Sequence, residues 1–373
     1  MTADWGAWAD DQAAAIRAAG RWRAPRGLDA RGPTGVLTAT GAPVVSFASN
    51  DYLGLTAHPR VIAAAHEALD RWGAGAGAAR LVVGSRPVHD ELEHELAEWK
   101  AAESAVLFPT GFAANLGVLA TFGGPGVLVL SDELNHASIV DGCRLARAQT
   151  EVYPHGDVER VEKVLADWPG RALVVTDTVF SMDGDTAPVD ELAEVCGRRG
   201  ALLVVDEAHA VLGPHPDFGG APVVRVGTLS KTLGSLGGFA AGPRPLTELL
   251  VNRARPYIFT TAATPADSAA ALAALRVVRS AEGDALMARL RGHVERVRPG
   301  HPSPVIPVML GDEAAALAAA AALLERGVLV PAIRPPTVPV GTSRLRVALS
   351  AAHTDGHIDL LLDGLGRLRC LGK

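Results

Sequence analysis

A single lysine in the stretch Val226–Gly238 is placed to act as a nucleophile. Lys231 follows Thr228 and Ser230 and precedes Gly234, Gly237 and Gly238. An amine attacks an aldehyde only after losing its proton, and a packed pocket with a second cation nearby makes that loss easier. Small neighbours let the backbone approach a flat, phosphorylated ligand closely. Taken alone, a Ser-Lys pair in a glycine loop fits a surface lysine better. The upstream chain changes that balance. Apolar runs end in polar groups: Val127–Leu130 leads to His136, Ala172–Val175 to Ser181, and Ala201–Val205 to Asp206 and His209. A carboxylate closing a run of apolar residues is costly unless it meets a positive partner, such as a protonated ring nitrogen. His209 can hydrogen-bond an aromatic oxygen and His136 can lie against a ring face, although each histidine alone fits a core or surface role equally well. Their joint position ahead of Thr-x-Ser-Lys points to pyridoxal 5′-phosphate. The lysine would hold the aldehyde, the aspartate would keep the ring nitrogen protonated, and a glycine turn would hold the phosphate.

The elements that must position these groups read as an α/β alternation. Apolar strands alternate with helical segments from Val127 onward, the pattern of a parallel sheet covered on both faces, with ligands beyond the carboxyl ends of the strands. Ala105–Phe108 followed by Thr110–Asn115 is a strand, a glycine turn and a helix amino terminus, which together suit an anion such as one phosphate. Neither a Walker lysine nor GxGxxG is present, so a triphosphate or dinucleotide site is not expected. Helices are expected over Asp10–Trp22, Pro59–Trp72 and Val88–Trp99. In the last third they are expected from Pro265 to Val297 with a break near Gly283, over Ala314–Arg326, and from Asp355 to Leu368. Ser303–Met309 reads as an edge strand and Leu345–Leu349 as an alternating, half-buried one.

Composition excludes several classes. The chain has 373 residues, room for two packed units, with 20% charged residues and a formal net charge of -6. No basic cluster suggests nucleic acid, and the Ala314–Leu324 run is too short to span a bilayer. Cys143, Cys196 and Cys370 are scattered without metal-ligand spacing, and His89 and His94 do not suggest a metal either. A soluble protein of a reducing cytoplasm is expected.

Six motifs in this order resemble the α-oxoamine synthases, a fold-type I pyridoxal-phosphate family: Asn50–Leu55, Thr110–Asn115, Leu134–Ser138, Val179–Gly184, Asp206–His209 and Thr228–Lys231. The resemblance runs from about Arg21 to the end. It implies a mostly parallel central sheet with helices on both faces and a smaller C-terminal α/β domain. With it the chain divides into an amino-terminal helix and arm (1–45), a large cofactor domain (46–260) and a small domain (261–373). It also implies Lys231 as the covalent lysine, Asp206 on the pyridine nitrogen, His209 on the phenolic oxygen and His136 over the ring. Gly111, Phe112, Ser181 and Thr228 would contact the cofactor, and Thr261 would reach the phosphate of the neighbouring subunit of a homodimer. Arg346 would grip the substrate carboxylate. Asn50, Thr337 and an amino-terminal arginine, aligned here as Arg23 with Arg21 and Arg26 as alternatives, would also contact substrate.

Ala332–Pro339, Gly341–Arg346 and Leu349–His353 resemble the branch that condenses L-alanine with a pimeloyl thioester in biotin biosynthesis, the thioester being carried by coenzyme A or by an acyl carrier protein. The other branches, glycine with acetyl-CoA and serine with a long acyl-CoA, and a non-catalytic relative acting as a binding subunit, are the alternatives. Two departures stand out: the loop after His209 lacks two residues usual in the family, and Ala78-Ala79-Arg80 replaces the commoner Gly-Ser-Arg.

Overall fold

Side-chain alternation along the strands decides which helices cover which face of the central sheet. In the strand Leu202–Asp206, Val204 packs into the cluster formed with the helix Gly111–Phe122, whereas Leu203 and Val205 pack with the helices Val158–Asp167 and Val189–Arg199. The computed structural model describes residues 4–371, apart from the side chains of 369–371, and Cys370 therefore lies outside the described side chains. The sheet has seven strands in the order Ser104–Phe108, Gly238–Gly242, Val223–Thr228, Leu202–Asp206, Arg171–Asp177, Val127–Asp132, Gln149–Tyr153. Only Gly238–Gly242 runs against its neighbours; the other pairings are parallel. This is the mostly parallel, doubly covered sheet expected from the sequence.

The last third adds the three-stranded antiparallel sheet Val305–Gly311, Ser343–Ala348, Ala332–Ile333. Val305–Gly311 is its edge, as its proline requires. Ser343–Ala348 is buried along its whole length and does not alternate. Its two arginines are drawn inward because they have partners there: Arg344 pairs with Asp183, and Arg346 reaches Ser181 and Asn50. A fourth layer joins both ends of the chain. The strands Leu28–Arg31, Thr34–Leu37 and Pro43–Ser46 form a sheet completed by Val328–Leu329, and the Ala348 N–H donates to the Phe47 carbonyl at 2.8 Å.

Two helix boundaries differ from the sequence reading. The first helix covers Trp5–Ala18, starting earlier because the Asp4 carboxylate caps Gly6 and Ala7, and ending before Gly20, whose φ is +66°. The arginines after it therefore lie on extended chain. The break in the last third falls at 279–280, a few residues before Gly283, which sits inside the helix Ala281–Val297 where a Cβ would lie 2.3 Å from the Val278 carbonyl oxygen.

One contact fixes the sheet against the site. A Cβ on Gly238 would lie 2.4 Å from the Gly111 nitrogen, at the amino end of the helix Gly111–Phe122. Gly238→Ala should therefore destabilise the fold by about 1–3 kcal/mol through overpacking. A denaturant midpoint equal to wild type would show that the backbone there can yield.

Candidate functional site

The sequence-derived residues gather at the carboxyl ends of the parallel strands. Asp206 closes its strand on the same face as Val204, toward the helix Gly111–Phe122, and Asn115 of that helix donates to its carboxylate at 2.6 Å. Ala208 N–H donates to the other oxygen at 2.9 Å. The next residue, Glu207, turns away to a separate group, where Lys100 at 2.7 Å and Arg225 at 2.6 Å hold it. Beside Asp206 at the same register lies Asp177, which ends the neighbouring strand. It is almost wholly buried and accepts from the His136 N–H at 2.7 Å. Burial and the Asp206 charge push the Asp177 carboxyl well above the ordinary range.

Lys231 lies in the loop after the strand Val223–Thr228, near enough for the charges of both acids to act on it. Gly234, at φ +59°, packs its backbone so closely on Thr56 that a Cβ would be 2.6 Å from its nitrogen. Burial lowers the pKa of the lysine; the two aspartates oppose that fall and Arg346 adds to it. Its Nζ lies 2.8 Å from His209 Nε2. Burial first, then the charges of Lys231 and Arg346, hold His209 well below the usual histidine range, so the ring is neutral. Burial and the Arg346 charge make this amine easier to deprotonate than an exposed lysine.

The remaining candidates fall into three groups. Gly111 and Thr228 touch, a Cβ on Gly111 lying 3.1 Å from that of Thr228. Thr110 caps the helix by accepting from Ala113, while Phe112 is exposed and meets His136 edge-on at 6.3 Å. His136 Nδ1 is 2.7 Å from the Ser138 hydroxyl, which also takes a hydrogen bond from Asn115. The His136 pKa is lowered by burial against the pull of Asp206. Arg346 donates to the Ser181 carbonyl at 2.5 Å and to Asn50 Oδ1 at 3.1 Å. Arg23 and Thr337 meet each other at 3.1 Å on the surface, whereas Arg21 pairs with Glu313. Thr261 is exposed and makes none of these contacts. Asp177, Asn115, Ser138 and Tyr52 belong to the same network but carry no role in the sequence reading. Asp177 could have been found as a second acid closing an apolar run; Asn115 and Tyr52 lay inside motifs read for other residues.

His155 braces the site from below. Its ring bridges Asp132, at 3.1 Å, and Asp185, at 2.7 Å, and stands edge-on to Phe180. Asp132 also holds Leu134 and Gly156 N–H groups, and Asp185 belongs to the turn that follows Ser181. Burial opposes charge on this ring, but the hydrogen bonds it donates to Asp185 and Asp132 outweigh that and raise the pKa. A raised folded pKa contributes stability in full below the unfolded value of about 6.5, and loses it as pH rises through the folded value. His155→Gln should therefore lower the melting temperature most below the unfolded value of about 6.5, with the gap from wild type narrowing as pH rises through the raised folded value. A gap that widens with pH would mean that the ring is neutral in the folded protein.

Comparison with known proteins gives the family of the chain. The aminotransferase class I and II family matches residues 42–365. The chain is 53% identical over 362 residues to an 8-amino-7-oxononanoate synthase of Anaeromyxobacter dehalogenans, covering 90% of this chain and 88% of the relative. Among solved structures, a serine palmitoyltransferase from S. paucimobilis with a bound pyridoxal phosphate–myriocin adduct superposes with a TM-score of 0.91 at 31% identity, covering 99% of this chain and 100% of that one. An 8-amino-7-oxononanoate synthase from Francisella tularensis gives 0.73 at 25% identity, over 87% and 96% of the two chains.

Proposed function

The chain belongs to the aminotransferase class I and II family and, within it, to the 8-amino-7-oxononanoate synthases, and from that membership we propose that it condenses L-alanine with a pimeloyl thioester, releasing carbon dioxide and the thiol. The observation that carries this reading is the 53% identity over 362 residues, 90% of this chain; the contact of Lys231 Nζ with His209 Nε2 at 2.8 Å supports it.

The residues present fit pyridoxal phosphate. Two buried acids at one register call for a cation between strand ends. Asn115 Oδ1 and Thr178 Oγ1 are buried there without a partner among the described residues. The close approach of Gly111 to Thr228 leaves a helix amino terminus free of side-chain bulk. When bound, the cofactor supplies an aldehyde for the amine and a ring that draws electrons from a neighbouring carbanion.

The protein's own groups then divide the work. Lys231, with its pKa lowered, would hold the aldehyde of the cofactor and would be the base for the alanine Cα proton. Asp206 would keep a ring nitrogen protonated, and its hydrogen bond from Asn115 fixes the aim of the carboxylate. His209 would serve the phenolic oxygen and His136 the ring. Gly111, Phe112, Ser181 and Thr228 hold the cofactor, and Arg346, supported by Asn50, binds the alanine carboxylate through a planar fork. Arg23 with Thr337 meets the acyl substrate, the pair being already formed. Residues 46–260 form the cofactor unit, 261–373 the smaller one and 1–45 the arm. Thr261, exposed and outside the network, suits a role in a neighbouring subunit of a homodimer. Among the described residues no helix is long and apolar enough to cross a membrane, in keeping with a cytoplasmic enzyme.

Alanine with pimeloyl thioester should release carbon dioxide and thiol in equal amounts. Lys231→Ala should lose more than the roughly 10²–10⁴-fold that general acid–base help alone provides. Pyruvate without carbon dioxide, or a preference for glycine with acetyl-CoA, would overturn the assignment. Mixing Lys231→Ala with an impaired Thr261 variant should restore activity in hybrid dimers, each holding one intact site; no restoration despite subunit exchange would mean self-contained sites.

A further inference from the structure

Tyr52 stands behind His209, on the side away from Lys231. Its ring is fully buried, and its hydroxyl lies 2.6 Å from His209 Nδ1 and 3.1 Å from Asn50 Oδ1. On the other edge of the imidazole, Nε2 lies 2.8 Å from Lys231 Nζ. Asn50 Oδ1 also accepts from Arg346. Arg346, Asn50, Tyr52, His209 and Lys231 therefore form one continuous chain of contacts.

A proton count restricts this chain to two states. Burial pushes the Tyr52 phenol up to about 12, so its oxygen keeps its proton at neutral pH. His209 is neutral and carries one N–H. Asn50 Oδ1 can only accept. If Lys231 is a charged donor to Nε2, the imidazole proton must sit on Nδ1 and point at the Tyr52 oxygen. The Tyr52 proton then goes to Asn50, and every contact is satisfied. If Nε2 instead faces an acceptor, either the lone pair of a neutral amine or an anionic ring oxygen, the proton must sit on Nε2. Tyr52 then turns its proton to Nδ1 and releases Asn50, which keeps its bond from Arg346.

We propose that Tyr52 is a positioning residue that selects the tautomer of His209, its single rotatable proton switching between Asn50 and Nδ1 as the group facing Nε2 changes from donor to acceptor. A phenol suits this task because one oxygen donates or accepts without moving a heavy atom. Replacing it with an apolar ring would strand a buried imidazole nitrogen, a cost that falls unequally on the two tautomers. The sharing of Asn50 joins this switch to Arg346, so the carboxylate-binding and proton-handling ends of the site are linked through Tyr52. The identity of the ring oxygen as acceptor rests on the cofactor reading above; the amine as donor or acceptor does not.

The test is ¹⁵N NMR of the full chain labelled in histidine, with His209 assigned from the signal lost in His209→Gln. Without cofactor, the wild-type ring should carry its proton on Nδ1 while Lys231 is charged, and shift it to Nε2 as pH rises through the Lys231 titration. With pyridoxal phosphate bound it should be on Nε2 throughout. In Tyr52→Phe the pH-linked shift should disappear, and turnover of the loaded enzyme with alanine should fall roughly 10-fold. A wild-type ring holding one tautomer across the titration without cofactor would overturn the proposal, as would a Tyr52→Phe protein that switches like wild type. If Tyr52→Phe does not fold, the wild-type titration decides alone. Because that titration needs neither substrate nor turnover, a failed condensation assay leaves it intact.

Discussion

Two carboxylates placed side by side in a dry site are the constraint on which the rest of the structure depends. Asp177 and Asp206 end adjacent parallel strands at one register, and both are buried. Such a pair repels itself and loses its hydration, so the surroundings must supply donors and positive charge. The chain supplies them from separate elements. The His136 and Ala208 N–H groups and the Asn115 amide each serve one oxygen, and Lys231 brings the cation from a loop that glycine lets lie close to Thr56. The same arrangement explains why the lysine is not simply neutralised: the acids pull its pKa up while burial and Arg346 push it down.

Much of this was legible in the sequence because it follows from strand ends. Apolar runs that stop at polar residues are read from periodicity, and ligands in such sheets gather beyond those ends. Asp206, His209, His136 and Ser181 follow from such strand ends, and the parallel sheet with them, whereas Lys231 stands out by its glycine-rich loop. What remained hidden lies across the fold. Nothing local says that Asn115 reaches Asp206, or that Tyr52, separated from His209 by 157 positions, shares a proton with it. The strand Ser343–Ala348 was misread as half-buried because arginines ordinarily face water. Here their partners, Asp183, Ser181 and Asn50, come from distant segments. The first helix begins ahead of its apolar spacing because the Asp4 side chain caps Gly6 and Ala7, a local hydrogen bond that periodicity does not record.

The amino-terminal segment is tied to the last third of the chain by polar contacts. Arg334 donates to the carbonyls of Gly20 and Trp22, and Arg23 reaches Thr337, so the arm is held to the 334–337 segment by guanidinium groups at the surface. Arginine is suited to this because its planar fork serves several carbonyls or hydroxyls at once. The sheet completed by Val328–Leu329 makes the tie structural as well as polar.

The adjacent acids Asp206 and Glu207 show what strand parity costs the sequence. One faces Asn115 and Lys231, and the other is locked between Lys100 and Arg225 on the opposite side. Two like-charged neighbours in sequence thus occupy electrically separate compartments, divided by the thickness of a single backbone. Chemical similarity gives them no freedom to trade places, because exchanging their lengths would leave one carboxylate short of its cations and drive the other into a space built for a shorter side chain. The order of two letters in this strand is fixed by geometry on both faces at once.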